Sequence, residues 1–160
     1  MTQAQSRARL LALLLPLLLL AGAWGSQLVG GLVPCEMCHW QRWPHYAAVV
    51  AAALAFVVPG RSSKVTLIVA AAVLIALSGL IGVFHAGVEY HWWQGITACS
   101  TTVSGAGIST DEMLRRILAA PVIRCDAAQW TLAGISLAGF NAIISLGGAA
   151  AIAWLIGRVR

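Results

Sequence analysis

Four long apolar segments run through this chain of 160 residues, at about residues 10–29, 44–58, 65–88 and 130–156. A helix needs about 20 mostly apolar residues to cross a bilayer. The second segment is the shortest, and we expect it to begin at the interface near Trp43. Sixty per cent of the residues are apolar and 9% are charged, whereas soluble domains carry roughly 25% charged residues. The sequence therefore predicts one integral membrane domain over 1–160, and it argues against a soluble enzyme, a disordered chain or a nucleic-acid-binding protein.

The predicted fold class is an all-α membrane protein, a bundle of four transmembrane helices. Both termini and the 59–64 turn carry six basic residues and no acidic residue, whereas the other two loops carry four basic and five acidic residues. Loops rich in Lys and Arg stay on the cytoplasmic side of a membrane. We therefore expect both termini to be cytoplasmic. The loops at about 30–43 and 89–129 are expected to face outward, which is the periplasm if the cell is Gram-negative.

The N-terminus permits one other interpretation. A basic start, a Leu-rich stretch and Ala21-Gly22-Ala23 together are also compatible with a cleaved signal peptide. The apolar sequence, however, continues past Ala23 to Val33, which is long enough for a membrane span. An uncleaved first helix is therefore favoured.

All four cysteines lie in the two loops that are predicted to face outward. Cys35 and Cys38 form a Cys-Glu-Met-Cys pair, and Cys99 and Cys125 lie 26 positions apart in the long second loop. An even number of cysteines in an oxidising compartment indicates disulfides, and four cysteines allow three pairings. A Cys-x-x-Cys loop is too short to gain much stability from closure, whereas such pairs often carry a lowered thiol pKa for exchange chemistry. The pair therefore favours a redox function over two passive disulfides.

Two other chemistries are open to the same cysteines. The segment 35–39, Cys-Glu-Met-Cys-His, fits the Cys-x-x-Cys-His motif of c-type haem attachment, and an outward location suits it. A membrane-anchored c-type cytochrome would leave Cys99 and Cys125 without a role. Zinc ligation by four thiolates is weaker still, because the second pair lacks short ligand spacing. No metal site is predicted.

Arg42 is a candidate ligand contact at the mouth of the second segment. It follows Cys38 by four positions, so the two side chains share a face if this stretch is helical. A guanidinium there would favour the thiolate form of Cys38. A proline fits the first turn of a helix but not its interior, so Pro44 also allows a helix that begins near Gln41. Because Arg42 is on the wrong side for a topology signal, a functional role is favoured over a snorkelling one.

Other polar residues near the membrane have weaker signals. His85 lies near the outer end of the third segment, with Glu89 one turn later, and an ionisable residue at membrane depth is a functional candidate. Asn141 is expected to hydrogen-bond between helices, whereas His39, His45 and His91 are expected at the interface.

The second outer loop is predicted to contain a short helix. Residues 109–112, Ser-Thr-Asp-Glu, have capping-box spacing and precede an apolar stripe, and the helix would end before Pro121. A short amphipathic helix of this kind is expected to lie flat on the membrane surface.

Taken together, these motifs resemble the DsbB family, the quinone-linked disulfide bond formation proteins of bacterial inner membranes. The resemblance covers essentially the whole chain. It rests on Pro34-Cys35-x-x-Cys38, Arg42 four residues later, His85 in the third segment, Cys99, and Cys125 followed by Gln129-Trp130.

The resemblance implies an enzyme, a protein thiol:quinone oxidoreductase in the inner membrane. Cys99 and Cys125 would form the disulfide that a reduced DsbA-like periplasmic partner attacks, with Cys99 taking the mixed disulfide. Electrons would then pass to the Cys-x-x-Cys pair and on to the membrane quinone pool, either ubiquinone or menaquinone. Cys38 would lie against the quinone ring, and Arg42 and His85 would be the quinone-binding residues.

Overall fold

The computed structural model describes residues 2–97, 109–119 and 124–158 of the chain. These residues form five helices and one short two-stranded antiparallel ribbon. In chain order the elements are α1 (Gln3–Leu28), α2 (Glu36–Val57), α3 (Arg61–Glu89), α4 (Thr110–Ala119), β1 (Thr131–Leu132), β2 (Ile135–Ser136) and α5 (Leu137–Gly157).

Three of the described helices, α1, α3 and α5, are long and apolar enough to cross a membrane. The helix α2 is of similar length, with 22 residues. Its composition differs from that of the other three helices, because its first turns are polar. They contain Glu36, Gln41, Arg42 and His45.

The start of α2 resolves the alternatives that Pro44 left open. The helix begins at Glu36, inside the predicted 30–43 loop, and Pro44 lies within it. Cys35 is the N-cap, and its Sγ accepts a hydrogen bond from the Cys38 backbone N–H at 3.2 Å. The cap satisfies one of the donors that a helix start leaves unpaired, so the redox motif itself starts the helix. Cys38 and Arg42 are therefore one turn apart on a continuous helix.

The start of α5 differs from the predicted segment of about 130–156. Residues 131–136 form the β1–β2 ribbon, in which Thr131 pairs with Ser136. Ala133 and Gly134, between the strands, have φ values of 50° and 78°, the left-handed conformation of a tight hairpin turn. Ser136 then caps α5, with its Oγ accepting from the Gly139 N–H. Because the ribbon also contains apolar residues, hydropathy alone does not show where α5 begins.

The core between the long helices is built mainly from small residues. α2 and α3 each pack against α1, and α3 lies against α5. Small side chains let helix backbones approach closely, which is how helices associate in lipid. The buried residues at this level are Ala8, Ala12, Ala48, Ala52, Ala55, Ile68, Ala71, Ile75, Ala149 and Ile152.

A close crossing of α3 and α5 lies above this core, toward the outer end. A Cβ added at Gly82 would lie 3.0 Å from the Ala138 carbonyl oxygen and 3.1 Å from the Ala142 nitrogen. These are backbone atoms of α5, so a larger residue at position 82 would push the two helices apart by a few tenths of an ångström.

The short helix predicted in the second outer loop is present as α4. Asp111, Leu114, Arg115 and Leu118 are exposed on it. The two exposed leucines agree with the apolar stripe that the sequence indicated, one turn apart on the same face.

Candidate functional site

The Cys-x-x-Cys pair lies at the first turn of α2. The Sγ atoms of Cys35 and Cys38 are 2.8 Å apart. Cys35 is buried and Cys38 is half-buried. A thiol at a helix N-terminus is held where the helix dipole and the first N–H groups favour negative charge. The geometry therefore places two sulfur atoms within reach of bond formation at a site that stabilises a thiolate.

The two thiols of this pair differ in exposure. Cys35 is 3% exposed, and its hydrogen bond with Cys38 together with its burial raises the pKa of the Cys35 thiol. Cys38 is half-buried on the first turn of α2. Cys38 is thus the more accessible thiol of the two.

A third cysteine joins this pair from the segment between α4 and β1. Cys125 is fully buried in one apolar cluster with Cys35, Met37 and Val88. The Oγ1 of Thr97 donates a hydrogen bond to the Cys125 Sγ at 3.4 Å. Cys99 lies outside the described residues. The structure therefore brings three of the four predicted cysteines to one place.

Gln129 holds the two outer loops together beside the cysteines. Its Oε1 accepts a hydrogen bond from the Val33 N–H at 3.1 Å, and its Nε2 donates to the Val33 carbonyl at 2.6 Å. This pairing tethers the segment just after Cys125 to the segment just before Cys35. The two residues are 96 positions apart, so no local pattern in the sequence indicates the contact.

Arg42 lies one turn below Cys38 and is buried, with 8% of its surface exposed. Its Nη1 donates to the Gln27 Oε1 at 3.0 Å and its Nη2 donates to the Ala23 carbonyl at 3.2 Å. The guanidinium also lies over the Trp24 ring, 5.6 Å from its centroid. A guanidinium has five N–H donors, and Arg42 makes two side-chain hydrogen bonds to other described residues. Donors therefore remain for a ligand oxygen.

A cavity of about 260 Å³ connects these groups, near the lower end of the roughly 300–1,000 Å³ of ligand sites. Leucines of α1 form one wall, and Trp130 and Phe140 contribute aromatic surface. The cavity combines apolar walls with a few polar groups, as ligand sites do. Its polar lining includes Cys35, Cys38, Gln41, Arg42, His45 and His85.

His85 contacts the buried thiol. Its Nε2 lies 3.6 Å from the Cys35 Sγ and 3.8 Å from the Glu89 Oε1. Its Nδ1 lies 2.7 Å from the Gln41 Nε2, an amide donor. Glu89 in turn accepts a hydrogen bond from the Ser136 hydroxyl. The predicted neighbourhood of His85 and Glu89 is thus present, and both lie on the cysteine side of α3.

Two cysteines and one histidine form a compact group of donor atoms. The Sγ atoms of Cys35 and Cys38 and a ring nitrogen of His85 all lie within 4.8 Å of one another. Because Gln41 donates to Nδ1, the neutral imidazole carries its proton on Nε2, the atom that faces the sulfur. This protonated Nε2 can donate a hydrogen bond to the Cys35 sulfur, an arrangement that suits thiol chemistry.

A polar network continues from His85 toward the middle of the bundle. The amide of Asn141 donates to the Gln41 Oε1 at 2.9 Å and to the Ser78 carbonyl at 3.2 Å, and it accepts from the His45 Nε2 at 3.0 Å. The prediction that Asn141 hydrogen-bonds between helices is confirmed, because it joins α5 to α2 and α3.

The expectation that His45 lies at the interface was wrong, since it is buried with 3% of its surface exposed. With the second segment beginning at the interface near Trp43, residue 45 would have been close to that interface. Because α2 begins two turns earlier, position 45 lies well inside the bundle. Its hydrogen-bond partners are 33 or more positions away, and no sequence signal points to them.

Comparison with known proteins adds an independent finding. No curated protein and no solved structure matches the chain. A family model described as "Disulfide bond formation protein DsbB" matches residues 5–155. Since that match covers nearly the whole chain, the protein belongs to the DsbB family of disulfide bond formation proteins.

Proposed function

We propose that this protein is a thiol:quinone oxidoreductase that reoxidises a DsbA-like periplasmic dithiol partner and passes the electrons to membrane quinone. The observation that carries the proposal is the position of Cys38. It is the less buried thiol of the pair, and it lines an apolar cavity together with Arg42. A nucleophilic thiolate and a cation beside an apolar pocket suit an apolar, carbonyl-bearing electron acceptor.

The membrane arrangement that we propose has four spans, with α2 as the fourth. At 1.5 Å per residue its 22 residues give a helix of about 33 Å, close to the roughly 30 Å of a bilayer core. Both termini would be cytoplasmic, and the cysteine-bearing loops periplasmic, following the distribution of basic residues. The exposed leucines of α4 support an interfacial position for that helix.

Two features of the cavity suit a quinone. Its apolar walls match an apolar ring and tail. The remaining donors of Arg42 match a carbonyl oxygen. When bound, a quinone supplies an acceptor for two electrons and two protons.

The proposed route begins in the second outer loop. A thiolate of the reduced partner attacks the Cys99–Cys125 disulfide, with Cys99 taking the mixed disulfide. The second partner thiol then resolves it, so the partner leaves oxidised and both loop cysteines are reduced. Thiol–disulfide exchange next transfers this reduction to the Cys35–Cys38 disulfide. The burial of Cys125 in one cluster with Cys35 supports this transfer.

The Cys-x-x-Cys pair then closes again. Cys35 and Cys38 form an S–S bond, and in doing so they release two electrons and two protons to the acceptor. The guanidinium of Arg42 would bind an oxygen of the acceptor, and the N–H of His85 would stabilise negative charge on the Cys35 sulfur while its proton leaves. The family match favours this chemistry over covalent haem attachment at residues 35–39.

The proposal is tested by quinone reduction, followed by ultraviolet absorbance, with purified protein and a reduced DsbA-type partner. We expect turnover to be lost in both Cys38→Ser and Cys99→Ser. When dithiothreitol replaces the partner, Cys99→Ser should regain quinone reduction and Cys38→Ser should not. No quinone reduction by folded wild-type protein, with either reductant and either quinone class, would overturn the proposal.

A second variant tests the role of Arg42. Arg42→Met should raise the KM for quinone about tenfold or more, because a charge-assisted hydrogen bond is lost. Arg61→Met is the matched control, since Arg61 is exposed at the other end of α3. An unchanged KM in Arg42→Met would contradict the assignment.

A further inference from the structure

His45 has an unusual position in the bundle. It lines the cavity, it is 3% exposed, and its Nε2 is hydrogen-bonded while its Nδ1 has no partner among the described residues. A buried polar atom without a partner costs free energy. Because Nδ1 is itself buried, a ligand in the cavity would supply this partner once a lining side chain moves aside.

The chemical character of Nδ1 follows from two backbone carbonyls. The Ser78 carbonyl accepts from the Asn141 amide nitrogen at 3.2 Å, which fixes the orientation of that amide. Its oxygen therefore faces the His45 Nε2, at 3.0 Å. An oxygen acceptor opposite Nε2 requires the proton on Nε2. In the neutral ring, Nδ1 is then a hydrogen-bond acceptor.

The orientation of the neighbouring Gln41 amide is fixed in the same way. The Met37 carbonyl accepts from the Gln41 Nε2 at 3.3 Å, so the Gln41 Oε1 faces Asn141, which donates to it at 2.9 Å. The two amides therefore form a consistent chain, and reversing either one would bring its oxygen against a carbonyl. The acceptor character of the His45 Nδ1 is thus set by the fold rather than by the ring alone.

We infer that His45 is a ligand-binding residue whose Nδ1 accepts a hydrogen bond from a ring hydroxyl in the cavity. The inference rests on the proposed function and deepens it. The reduced acceptor, a hydroquinone, carries hydroxyl donors, whereas the oxidised quinone carries only carbonyl acceptors. A lone pair on Nδ1 therefore distinguishes the two forms and favours the reduced one.

This preference has a consequence for the reaction. Tighter binding of the reduced form raises the reduction potential of the bound couple, by about 30 mV for each tenfold difference in affinity. The partner is itself a strong oxidant, so its reoxidation is helped by a site that makes the acceptor more oxidising. His45 supplies this effect from a position two turns after Cys38 on α2.

The test is equilibrium binding of a decyl-substituted ubiquinone and of its hydroquinone to the oxidised protein under argon, by calorimetry in detergent. We expect His45→Leu to weaken hydroquinone binding about five- to tenfold, the effect of one neutral hydrogen bond, and to leave quinone binding within about twofold. His45→Gln, which restores an acceptor oxygen, should recover part of the hydroquinone affinity. His39→Leu is the matched control, because His39 is exposed on the same helix, and it should change neither affinity.

Three outcomes would overturn the inference. Equal losses for both ligands in His45→Leu would mean that His45 only supports the fold. No loss for either ligand would mean that Nδ1 does not contact the ring. If wild-type protein reduces quinone and His45→Leu shows either result, this inference alone fails. If wild-type protein does not reduce quinone at all, the proposed function fails and the inference fails with it.

Discussion

The crossing of α3 and α5 at Gly82 supports a quantitative prediction for the variant Gly82→Ala. The added Cβ would lie 3.0 Å from the Ala138 carbonyl oxygen and 3.1 Å from the Ala142 nitrogen. Because these atoms belong to the backbone of α5, the whole helix must shift to relieve the contact. Overpacking of this kind costs about 1–3 kcal/mol, against a gain of up to about 1 kcal/mol for alanine over glycine in a helix. With the full gain, we expect a net loss of up to about 2 kcal/mol.

Gly147 provides the matched control on α5. A Cβ added there meets nothing within 4 Å, so Gly147→Ala receives the helix-propensity gain without the steric cost. The assay is reversible unfolding in mixed detergent and SDS, with the free energy of unfolding obtained for wild type and both variants. Gly82→Ala should be less stable than wild type, and Gly147→Ala equally or slightly more stable.

The same variant has a functional consequence. The added Cβ of Gly82→Ala would also lie 3.1 Å from the Asn141 Nδ2, so the shift of α5 should disturb the network that orients His45. If Gly82→Ala and Gly147→Ala were equally stable, the close approach of α3 and α5 would be contradicted, and with it the packing argument for the network.

Three further predictions concern single contacts. Asn141→Leu should lower the free energy of unfolding by about 1–2 kcal/mol in the same assay. Asn141 makes hydrogen bonds to three of the described residues on other helices, and each such bond contributes roughly 0.6 kcal/mol on average in a membrane. An unchanged value would refute the bridging role. Gln129→Leu should slow electron transfer from the partner by up to about tenfold while the KM for quinone stays constant, because the two hydrogen bonds between Gln129 and Val33 are lost. A changed KM with normal electron transfer would refute the role of Gln129 in joining the two segments. Cys35→Ala should slow alkylation of Cys38 near neutral pH, because the hydrogen bond between the two sulfur atoms is lost and the thiolate is the reactive form. An unchanged alkylation rate, followed by mass spectrometry, would contradict a role for this contact.

The sequence by itself determined the membrane class and the local chemistry of the site. Hydropathy identifies apolar segments because lipid demands them over a fixed length. The spacing of Cys35, Cys38 and Arg42 along one stretch predicts their proximity, since residues one turn apart on a helix share a face. The proximity of His85 and Glu89, which are also four positions apart, follows from the same argument. These features depend on neighbours within a few residues, which a sequence displays directly.

Local sequence patterns did not predict where α2 and α5 begin. The start of α2 at Glu36 depends on a cysteine serving as the N-cap, a role for which serine, threonine, aspartate and asparagine are the usual residues. The ribbon before α5 is as apolar as the helix that follows. In both places the backbone conformation decides the boundary, and hydropathy does not report it.

The tertiary structure alone decided which distant groups meet. Cys125 joins Cys35 in one buried cluster, Gln129 binds Val33, and Asn141 binds His45, each across 90 or more positions of the chain. Such contacts depend on how helices cross and on which faces they turn toward each other. The orphaned nitrogen of His45 is the clearest case, because its character as an acceptor is set by carbonyls on two other turns of the bundle.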